Sequence, residues 1–298
     1  MLLMRSFGKP SILIIGCGDI GLRVSKLLSR GYGIFALTSQ QSRFQELREG
    51  GAIPILGNLD HPESLWRLSA LAQTVIHLAP PQNQGNRDYR TRNLLRILSQ
   101  GSNGVRRLIY ISTTGVYGNH RGGKVSEMTP VSPESDRAKR RVDAEQMLRL
   151  WGPAHGVAVT ILRVPGIYAS DRLPLERLRS QTPALIAEED AYSNHIHSDD
   201  LARLICAAVY HGKPQRIINA CDGTETKMGD YFDEVADAYG LKRPPRLPAS
   251  ELQAIVSPML WSFMRESRRV SNARLHELKM PLRYPSVGHF LKTISKNP

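Results

Sequence analysis

The chain has 298 residues, a formal net charge of +13 at pH 7, and a composition that is 41% hydrophobic and 22% charged. This length predicts one large domain or two unequal lobes, and the absence of any window of 18 apolar residues excludes a transmembrane helix. The N-terminus lacks the layout of a signal peptide. Three cysteines, Cys17, Cys206 and Cys221, show no metal-ligand spacing. We therefore expect a cytoplasmic protein without a metal site.

The excess of positive charge favours partners that are anions: nucleic acid, phosphorylated metabolites or acidic lipid headgroups. A basic surface with no specific partner is the alternative. The arginines are spread over several segments, and aromatic residues make up only 6% of the chain. This pattern disfavours a platform for single-stranded nucleic acid, and no helix-turn-helix or zinc-finger spacing is present.

Apolar runs and helical periodicity alternate along the first 165 residues. In chain order, the predicted elements are a strand at 11–15, a helix at 19–30, a strand at 33–37, a helix at 43–49, a strand at 52–55, a helix at 61–68, a strand at 74–78, a helix at 86–99, a strand at 107–111, a helix at 134–151 and a strand at 157–162. Strands that alternate with helices predict an α/β fold with a Rossmann-type, doubly wound parallel sheet.

A glycine-rich loop, GCGDIG, joins the first strand to the first helix. Gly16 permits a tight turn, Gly18 lets the backbone approach a pyrophosphate, and Gly21 lets the helix pack close to the strand. Asp19 and Ile20 begin a helix whose N-terminus offers N–H groups and a partial positive charge. The loop therefore predicts a dinucleotide site, and a purely structural turn is the alternative.

The end of the second strand bears on which dinucleotide is bound. An NAD site has an acid there for the ribose 2′-hydroxyl, but residues 37–43 contain none. Ser39 and Arg43 could instead accept a 2′-phosphate, so NADP is preferred over NAD; the alternative is that Arg43 is a solvated helix residue. Asn58 and Leu59 follow the third strand and are expected beside the adenine.

The pieces ILIIGCGDIG, VIHLAPP, RLIYISTTGVYG, AEQMLR, ILRVPGIY and HIHSDDLA run in one order across residues 11–220. In these pieces the chain resembles the short-chain dehydrogenase/reductase superfamily, in an atypical, extended-like form of its NAD-dependent epimerase/dehydratase branch. The resemblance implies an NAD(P)-binding oxidoreductase or isomerase that acts on a small anionic substrate such as a nucleotide-sugar. It also implies a homodimer, whereas the expectation of no membrane and the disfavoured nucleic acid come from the composition described above.

That family uses a Ser or Thr after the fifth strand and a Tyr-x-x-x-Lys pair on the next helix. Thr113 matches the hydroxyl, with Ser112 beside it, but Arg137 and Arg141 stand where the Tyr and Lys are expected. Arginine stays protonated and is not a practical general acid, so the resemblance assigns Arg141 to holding the cofactor ribose. Tyr117 and Tyr168 are alternative proton donors.

The helical stripe that contains these two arginines also contains Ala144 and Leu148, which predicts that it faces inward. Arg137 then either anchors a ligand in the cleft or makes a supporting salt bridge. The other basic residues of 137–141, including Lys139, are expected on the surface.

Further positions follow from the same resemblance. Ala79 and Pro80 after the fourth strand, and Pro165 after the sixth, are expected beside the cofactor. The sequence HIHSDD contains residue types that commonly bind metals, but we interpret it as a helix N-terminus capped by Ser198 or Asp199.

The predicted division assigns 1–165 to the dinucleotide-binding domain, with 195–222 returning to it, and 166–298 to a smaller mixed α/β substrate lobe. Basic residues of that lobe could meet an anionic substrate: Arg172, Arg177, Arg179, Arg268 and Arg269. Two alternatives to an enzyme stay open at this point, a non-catalytic dinucleotide-binding sensor and a nucleic-acid-associated protein.

Overall fold

The computed structural model describes residues 9–100 and 104–294, and strands alternate with helices along most of the first half. The strands are β1 (Ser11–Ile15), β2 (Gly33–Thr38), β3 (Ala52–Leu56), β4 (Thr74–His77), β5 (Arg107–Thr113), β6 (Lys124–Val125), β7 (Ala158–Val164), β8 (Gly166–Tyr168), β9 (Ala184–Leu185), β10 (Tyr192–Ser193), β11 (His195–His197), β12 (Arg216–Asn219), β13 (Thr226–Lys227), β14 (Arg246–Leu247) and β15 (Arg269–Val270).

Ten α-helices and several short 3-10 segments connect these strands within the described residues. The helices are α1 (Asp19–Leu28), α2 (Phe44–Glu49), α3 (Tyr89–Leu98), α4 (Asp136–Ala154), α5 (Leu175–Arg179), α6 (Ser198–His211), α7 (Met228–Ala238), α8 (Ala249–Ile255), α9 (Pro258–Met264) and α10 (Val287–Ile294). In the part of the chain that the structure describes, no helix combines the length and the hydropathy that crossing a bilayer requires.

The central sheet has seven parallel strands in the order β3-β2-β1-β4-β5-β7-β12. From β1 the sheet extends on one side to β2 and then β3. On the other side it extends from β4 to β5, β7 and β12. The order therefore reverses between β1 and β4, and the crevice at the carboxyl ends of these two strands is where such sheets bind ligands. The predicted doubly wound sheet is confirmed, and β12 adds a seventh strand.

Apolar cores cover both faces of the sheet, which explains why β1 is apolar throughout. Ile12 and Ile14 pack on the face that carries α1 and α6, whereas Leu13 and Ile15 pack on the face that carries α3 and α4. All four side chains are fully buried. Alternate residues of a strand point to opposite faces, so a strand covered on both sides is apolar at every position.

Some predicted helix bounds and types were wrong. The segment 61–68 forms a 3-10 helix, Pro62–Ala70, instead of an α-helix. Helix α3 starts at Tyr89, and not at residue 86, because the Asp88 carboxylate accepts a hydrogen bond from the Thr91 N–H at 3.0 Å. Helix α4 starts at Asp136 because the Ser135 hydroxyl accepts from the Ala138 N–H. Side-chain oxygens that satisfy first-turn N–H groups define where a helix begins.

The start of α6 is capped by a different residue from the one predicted. His197 Nδ1 accepts from the Asp199 N–H at 3.2 Å, so the expectation that Ser198 or Asp199 is the cap was wrong. His197 and His195 both pack in an aromatic cluster, with ring centroids 4.2 Å from Tyr284 and 4.4 Å from Tyr231, respectively. Burial lowers the pKa of His195 to about 4, so its imidazole is neutral at pH 7.

The C-terminal elements build small paired strands and a separate apolar cluster that includes Tyr168, Phe232 and Phe290. One of these pairings shapes the site. β15 pairs with β6 in parallel, and this brings the chain between α9 and β15 to the loops that follow β5.

Candidate functional site

Three adjoining cavities form one cleft along the carboxyl edge of the sheet. The loop cavity, about 440 Å³, lies at the glycine loop and the end of β2; the side cavity, about 130 Å³, lies between β2, β3 and β4. The arginine cavity, about 420 Å³, lies at the ends of β4, β5 and β7. Leu37, Thr38 and Ser39 line both of the first two, and Pro80 lines both the loop and the arginine cavities, so the cleft is continuous.

The three glycines of the loop have the distinct roles that the motif predicts. Gly16 has φ +85°, and a Cβ there would lie 2.5 Å from the Ala79 backbone nitrogen. A Cβ on Gly18 would meet nothing within 4 Å, so this residue keeps the mouth of the loop cavity open. A Cβ on Gly21 would lie 3.1 Å from Cys17 Sγ. The backbone thus approaches β4 at Gly16 and is accessible to a ligand at Gly18.

Asp19 puts a carboxylate at the N-terminus of α1, where a pyrophosphate is expected. Two guanidiniums neutralise it: Arg23 at 2.9 Å and Arg172 at 3.1 Å. Arg23 also contacts Asp199. The loop cavity therefore keeps the positive character of a helix N-terminus despite the acid.

The end of β2 brings Ser39 and Arg43 to the same cavity, together with Thr38 and Gln40. Arg43 Nε donates to Glu46 at 2.8 Å, and this pair is exposed. Apart from Asp19, no carboxylate is among the described residues that line the loop cavity. Burial raises the pKa of the neighbouring Cys17 thiol to about 11, so it stays protonated.

Asn58, Leu59 and Ala79 line the side cavity, as expected for residues beside an adenosine. Asn58 Oδ1 accepts from the Asp60 N–H at 3.0 Å, and Arg90 holds the Asp60 carboxylate through two hydrogen bonds of 2.8 and 2.6 Å. Because Arg90 also lines the cavity and donates to the Pro80 carbonyl at 3.2 Å, it ties the loops after β3 and β4 together.

The arginine cavity contains most of the residues assigned to catalysis. Its described lining consists of Pro80, Pro81, Asn83, Thr113, Thr114, Gly115, Arg137, Arg140, Arg141, Pro165, Gly166, Phe263, Glu266 and Arg268. Thr113 Oγ1 accepts from the Gly115 N–H at 3.2 Å. Arg141 Nη1 donates to the Tyr110 hydroxyl at 3.0 Å and to the Ile111 carbonyl at 2.9 Å. Thr113 and Arg141, which lie 28 residues apart, thus meet on one wall.

The expectation that only Arg137 and Arg141 of this helix face inward was wrong for Arg140. Its side chain is buried, lines the cavity and donates to the Gly85 carbonyl. The loop after β4 packs over this side of α4, so the inward face is wider than one stripe. Arg137 is exposed but reaches the cavity mouth, where its guanidinium lies 4.3 Å from the Phe263 ring centre. Lys139 pairs with Asp136 at 3.2 Å on the outer side, as expected.

Three predicted site residues lie outside the three cavities. Tyr117 is fully buried, its hydroxyl donates to Asn219 Oδ1 at 2.8 Å, and burial raises its pKa. Tyr168 is buried in the aromatic cluster, and burial raises its pKa as well. Ser112 is buried and lines none of the three cavities. The structure therefore gives neither phenol access to the arginine cavity.

The sequence did not identify Asn83, Phe263 and Glu266 as lining residues. Arg268, expected only to meet an anionic substrate, is buried and donates to the Gly118 carbonyl at 2.7 Å and to Glu266 at 2.9 Å. Because 150 residues separate Arg268 from Gly118, no local pattern could have predicted this contact.

Other basic residues of the C-terminal part have different partners. Arg177 donates to the Pro183 carbonyl at 2.7 Å, and Arg269 donates to the Gly122 carbonyl and to Glu225. Within the described residues, Arg179 is exposed and lines none of the three cavities.

The chain is similar to known proteins in sequence and in fold. The model of the NAD dependent epimerase/dehydratase family matches residues 12–221. A UDP-glucose 4-epimerase from Azospirillum brasilense is 27% identical over 256 residues, which cover 80% of this chain and 69% of that protein. The match to a candidate UDP-glucose 4-epimerase from Methanocaldococcus jannaschii, 21% identical, covers 46% of this chain and only about half (48%) of that protein's length.

A solved structure of a functionally unknown conserved protein from Silicibacter pomeroyi is similar over nearly the whole chain. It has a TM-score of 0.80 and 26% identity, and the match covers 97% of this chain and 99% of that one. The family match spans more than two thirds of the sequence and includes β1, the glycine loop, Thr113, Arg141 and β12. The chain belongs to the NAD dependent epimerase/dehydratase family.

Proposed function

We propose that the protein is an NADP(H)-dependent oxidoreductase or isomerase that acts on a small anionic substrate of the nucleotide-sugar class. The observation that carries this proposal is the continuous cleft from the glycine loop to Thr113 and Arg141. Family membership and the epimerases among the relatives support it. They do not favour a non-catalytic sensor.

The residues of the cleft fit a dinucleotide. Gly18 and the first turn of α1 would hold the pyrophosphate, Asn58, Leu59 and Ala79 the adenosine, and Pro80 and Pro165 the far end. A bound nicotinamide nucleotide accepts or donates a hydride. In this proposal, Arg141, held by Tyr110 and Ile111, supplies hydrogen-bond donors to the ribose, as a lysine does in the typical family pair.

Thr113 is the hydroxyl we propose to contact the substrate. Its Oγ1 accepts from the Gly115 N–H, so its own hydrogen is free to donate to a substrate oxygen. Neither Arg137 nor Arg141 loses its proton near neutral pH, so neither takes over the phenol's role as acid and base. In this proposal, hydrogen-bond donation stabilises the charge that develops on the substrate oxygen, and the proton that accompanies hydride transfer is exchanged with solvent water.

We prefer NADP over NAD because the loop cavity offers Ser39 and Arg43 where an NAD site offers an acid. A 2′-phosphate would compete with Glu46 for the Arg43 guanidinium. Arginine forms bidentate hydrogen bonds with phosphate, and this compensates for the exchange of partners.

Calorimetric titration with NADPH and NADH tests the proposal. We expect tighter binding of NADPH, and we expect Arg43→Ala to weaken NADPH binding about tenfold while NADH binding changes little. Arg48→Ala is the matched control, because Arg48 lies on α2, the helix that directly follows Arg43, is exposed and does not line the cavity. Equal affinities would contradict the NADP preference, and no binding of either nucleotide would refute the function itself.

Three further features complete the proposal. We infer that 1–165 with 195–222 is the dinucleotide-binding domain and that 166–194 with 223–298 is the substrate-facing lobe. We infer a homodimer and a cytoplasmic location, the latter because Cys17, Cys206 and Cys221 are all unpaired and buried, which is typical of a reducing compartment.

A further inference from the structure

We propose that the arginine cavity binds an anionic group of the substrate, a carboxylate or a phosphate, between Arg137 and Arg140. This inference rests on the proposed function and deepens it, because it locates the negative charge of the substrate beside Thr113. The chemistry that both sources share is a compact oxyanion with two or more acceptor oxygens.

The first argument is the charge of the cavity. Four arginines and one carboxylate, Glu266, are among its described lining residues, which leaves three positive charges in excess. Pro80, Pro81 and Phe263 supply walls of low polarity. A recess lined by one sign of charge and by apolar walls concentrates ions of the opposite sign.

The second argument is that Arg137 lacks an acceptor. Arg141 donates to Tyr110 and Ile111, Arg140 donates to the Gly85 carbonyl, and Arg268 donates to Gly118 and Glu266. Among the residues that the structure describes, Arg137 forms no hydrogen bond or ion pair; its guanidinium lies 4.3 Å from the ring centre of Phe263, and Glu266 is the carboxylate that attracts it. A guanidinium carries five N–H donors, so those of Arg137 are available to a ligand.

The third argument is that the arrangement is unfavourable in the protein alone. Arg137, Arg140 and Arg141 are spaced i, i+3 and i+4, so they are neighbours on one face of α4 and repel each other. They also lie in the first two turns, where the helix dipole disfavours cations. Burial lowers the pKa of Arg137, and although Glu266 acts against this, the guanidiniums of Arg141 and Arg140 add to the lowering. An anion bound between these side chains would offset each of these costs.

Buried donors without a partner also support an anion site in this cavity. Arg140 and Arg268 are buried, with 6% and 9% of each residue exposed, and the Nε atom of each has no hydrogen-bond partner among the described residues. A bound oxyanion that shifts either guanidinium could satisfy these groups. A neutral hexose offers no charge to this set of donors, so we expect an acidic group at the reacting end of the substrate.

Calorimetric titration of the NADP⁺-saturated protein with malonate and with inorganic phosphate tests the inference. We expect both anions to bind, and we expect Arg137→Gln and Arg140→Gln each to weaken binding by about tenfold or more. Lys139→Gln is the matched control: it removes one positive charge from the same turn of α4 but lies outside the cavity lining, so binding should change less than about twofold.

Arg137→Lys separates charge from geometry. Lysine keeps the charge but lacks the planar fork, so we expect affinity between those of the wild type and Arg137→Gln. Thermal unfolding without ligand checks that each variant folds. Arg137→Gln removes a repelling charge and no hydrogen bond, so its melting temperature should be unchanged or higher, whereas Arg140→Gln also loses the contact with the Gly85 carbonyl and should melt at a lower temperature.

A wild-type protein that binds neither anion at millimolar concentration, or a loss in Lys139→Gln equal to that in Arg137→Gln, would overturn the inference. The titration is repeated without dinucleotide, so failure to bind NADP⁺ refutes the proposed function while the anion site is still tested. UDP-glucose identifies the source of the anion. Displacement of malonate by UDP-glucose assigns the site to the diphosphate, and independent binding of the two assigns it to a carboxylate.

Discussion

Arg141 is held against Tyr110: its Nη1 donates to the Tyr110 hydroxyl at 3.0 Å, and its guanidinium carbon lies 5.6 Å from the ring centre. Tyr110 itself is fully buried in β5, and burial raises its pKa to about 12. A rigid residue of the central sheet thus fixes the orientation of a cleft arginine. The same wall carries Thr113, so β5 positions both groups.

We expect Arg141→Ala to weaken NADP(H) binding by about 1.5–3 kcal/mol, the range for hydrogen bonds to charged groups. Tyr110→Phe keeps Arg141 but removes one of its two anchors, so the loss of affinity should be smaller. Calorimetric titration of both variants checks the order. Unchanged binding in Arg141→Ala would show that this arginine does not hold the dinucleotide.

The two glycines of the loop should respond differently to alanine. Gly16→Ala places a Cβ 2.5 Å from the Ala79 backbone at φ +85°, so it should lower the free energy of unfolding by about 1–3 kcal/mol or more. The Cβ added by Gly18→Ala meets nothing within 4 Å, so the variant should leave stability nearly unchanged. Because that Cβ would occupy the space where the pyrophosphate is proposed to approach the backbone, the variant should weaken dinucleotide binding. Urea unfolding and nucleotide titration separate the two effects, and equal destabilisation would contradict this assignment.

Among the ion pairs of the described residues, we expect the buried pair of Arg163 and Glu145 to cost the most stability when one partner is truncated. Their side chains are 4% and 5% exposed and form two hydrogen bonds, at 3.1 and 2.7 Å. Glu145→Ala leaves an uncompensated buried guanidinium and should cost about 3–5 kcal/mol in unfolding experiments.

The exposed pair of Lys139 and Asp136 provides the comparison for this effect. Asp136→Ala should change stability by less than about 1 kcal/mol, because solvent screens an exposed ion pair. The double variant Glu145→Leu/Arg163→Met should be much less destabilised than Glu145→Ala, since it removes both charges. A double variant as unstable as the single one would contradict the electrostatic explanation.

Asp222 should make the protein less stable as the pH rises from about 4 to 6. Burial raises the pKa of its carboxyl from 3.8 to about 6, so the folded state holds a proton that the unfolded state has released. The stabilisation is therefore complete below pH 4 and is lost as the pH rises through 6, by about 2–3 kcal/mol in total.

Asp222→Asn tests this pH dependence. The amide retains an acceptor for Thr224, whose N–H and hydroxyl donate to Asp222 Oδ1 at 3.0 and 2.7 Å. We expect the variant to exceed the wild type in stability above pH 6 and to lose this advantage near pH 4, as measured by urea unfolding across that range. A constant difference at all pH values would exclude Asp222 as the titrating group.

The sequence predicted the sheet better than the helix ends. The positions of β1 to β5 and of β7 follow from apolar runs, because a strand covered on both faces must be apolar throughout, whereas β6 was not predicted. The helix ends depended on single capping contacts, such as Asp88 with Thr91 and His197 with Asp199. Several polar residues near each helix start were compatible with capping, and periodicity does not distinguish among them.

Some residues of the candidate site could also be predicted from the sequence, and others could not. The loop from Gly16 to Gly21 is contiguous, so its motif places it at the carboxyl end of β1. Thr113 and Arg141 also came from motif positions. The inward orientation of Arg140 depends on the Gly85 loop, and the burial of Tyr117 depends on Asn219, 102 residues away.

The doubly wound sheet and the glycine loop could be predicted from the sequence, because each is specified by residues close together in the chain. The assignment of Arg137 and Arg141 to the positions of the family's tyrosine and lysine is a prediction of the same kind. The folded chain was needed to show that Arg268 and Glu266 line the same cavity as Thr113, and that Arg137 is the one of its four arginines without a hydrogen-bond acceptor within the described residues. These contacts form because β15 pairs with β6, which brings segments far apart in the chain together. No local sequence pattern predicts such a pairing, because its free energy depends on both segments.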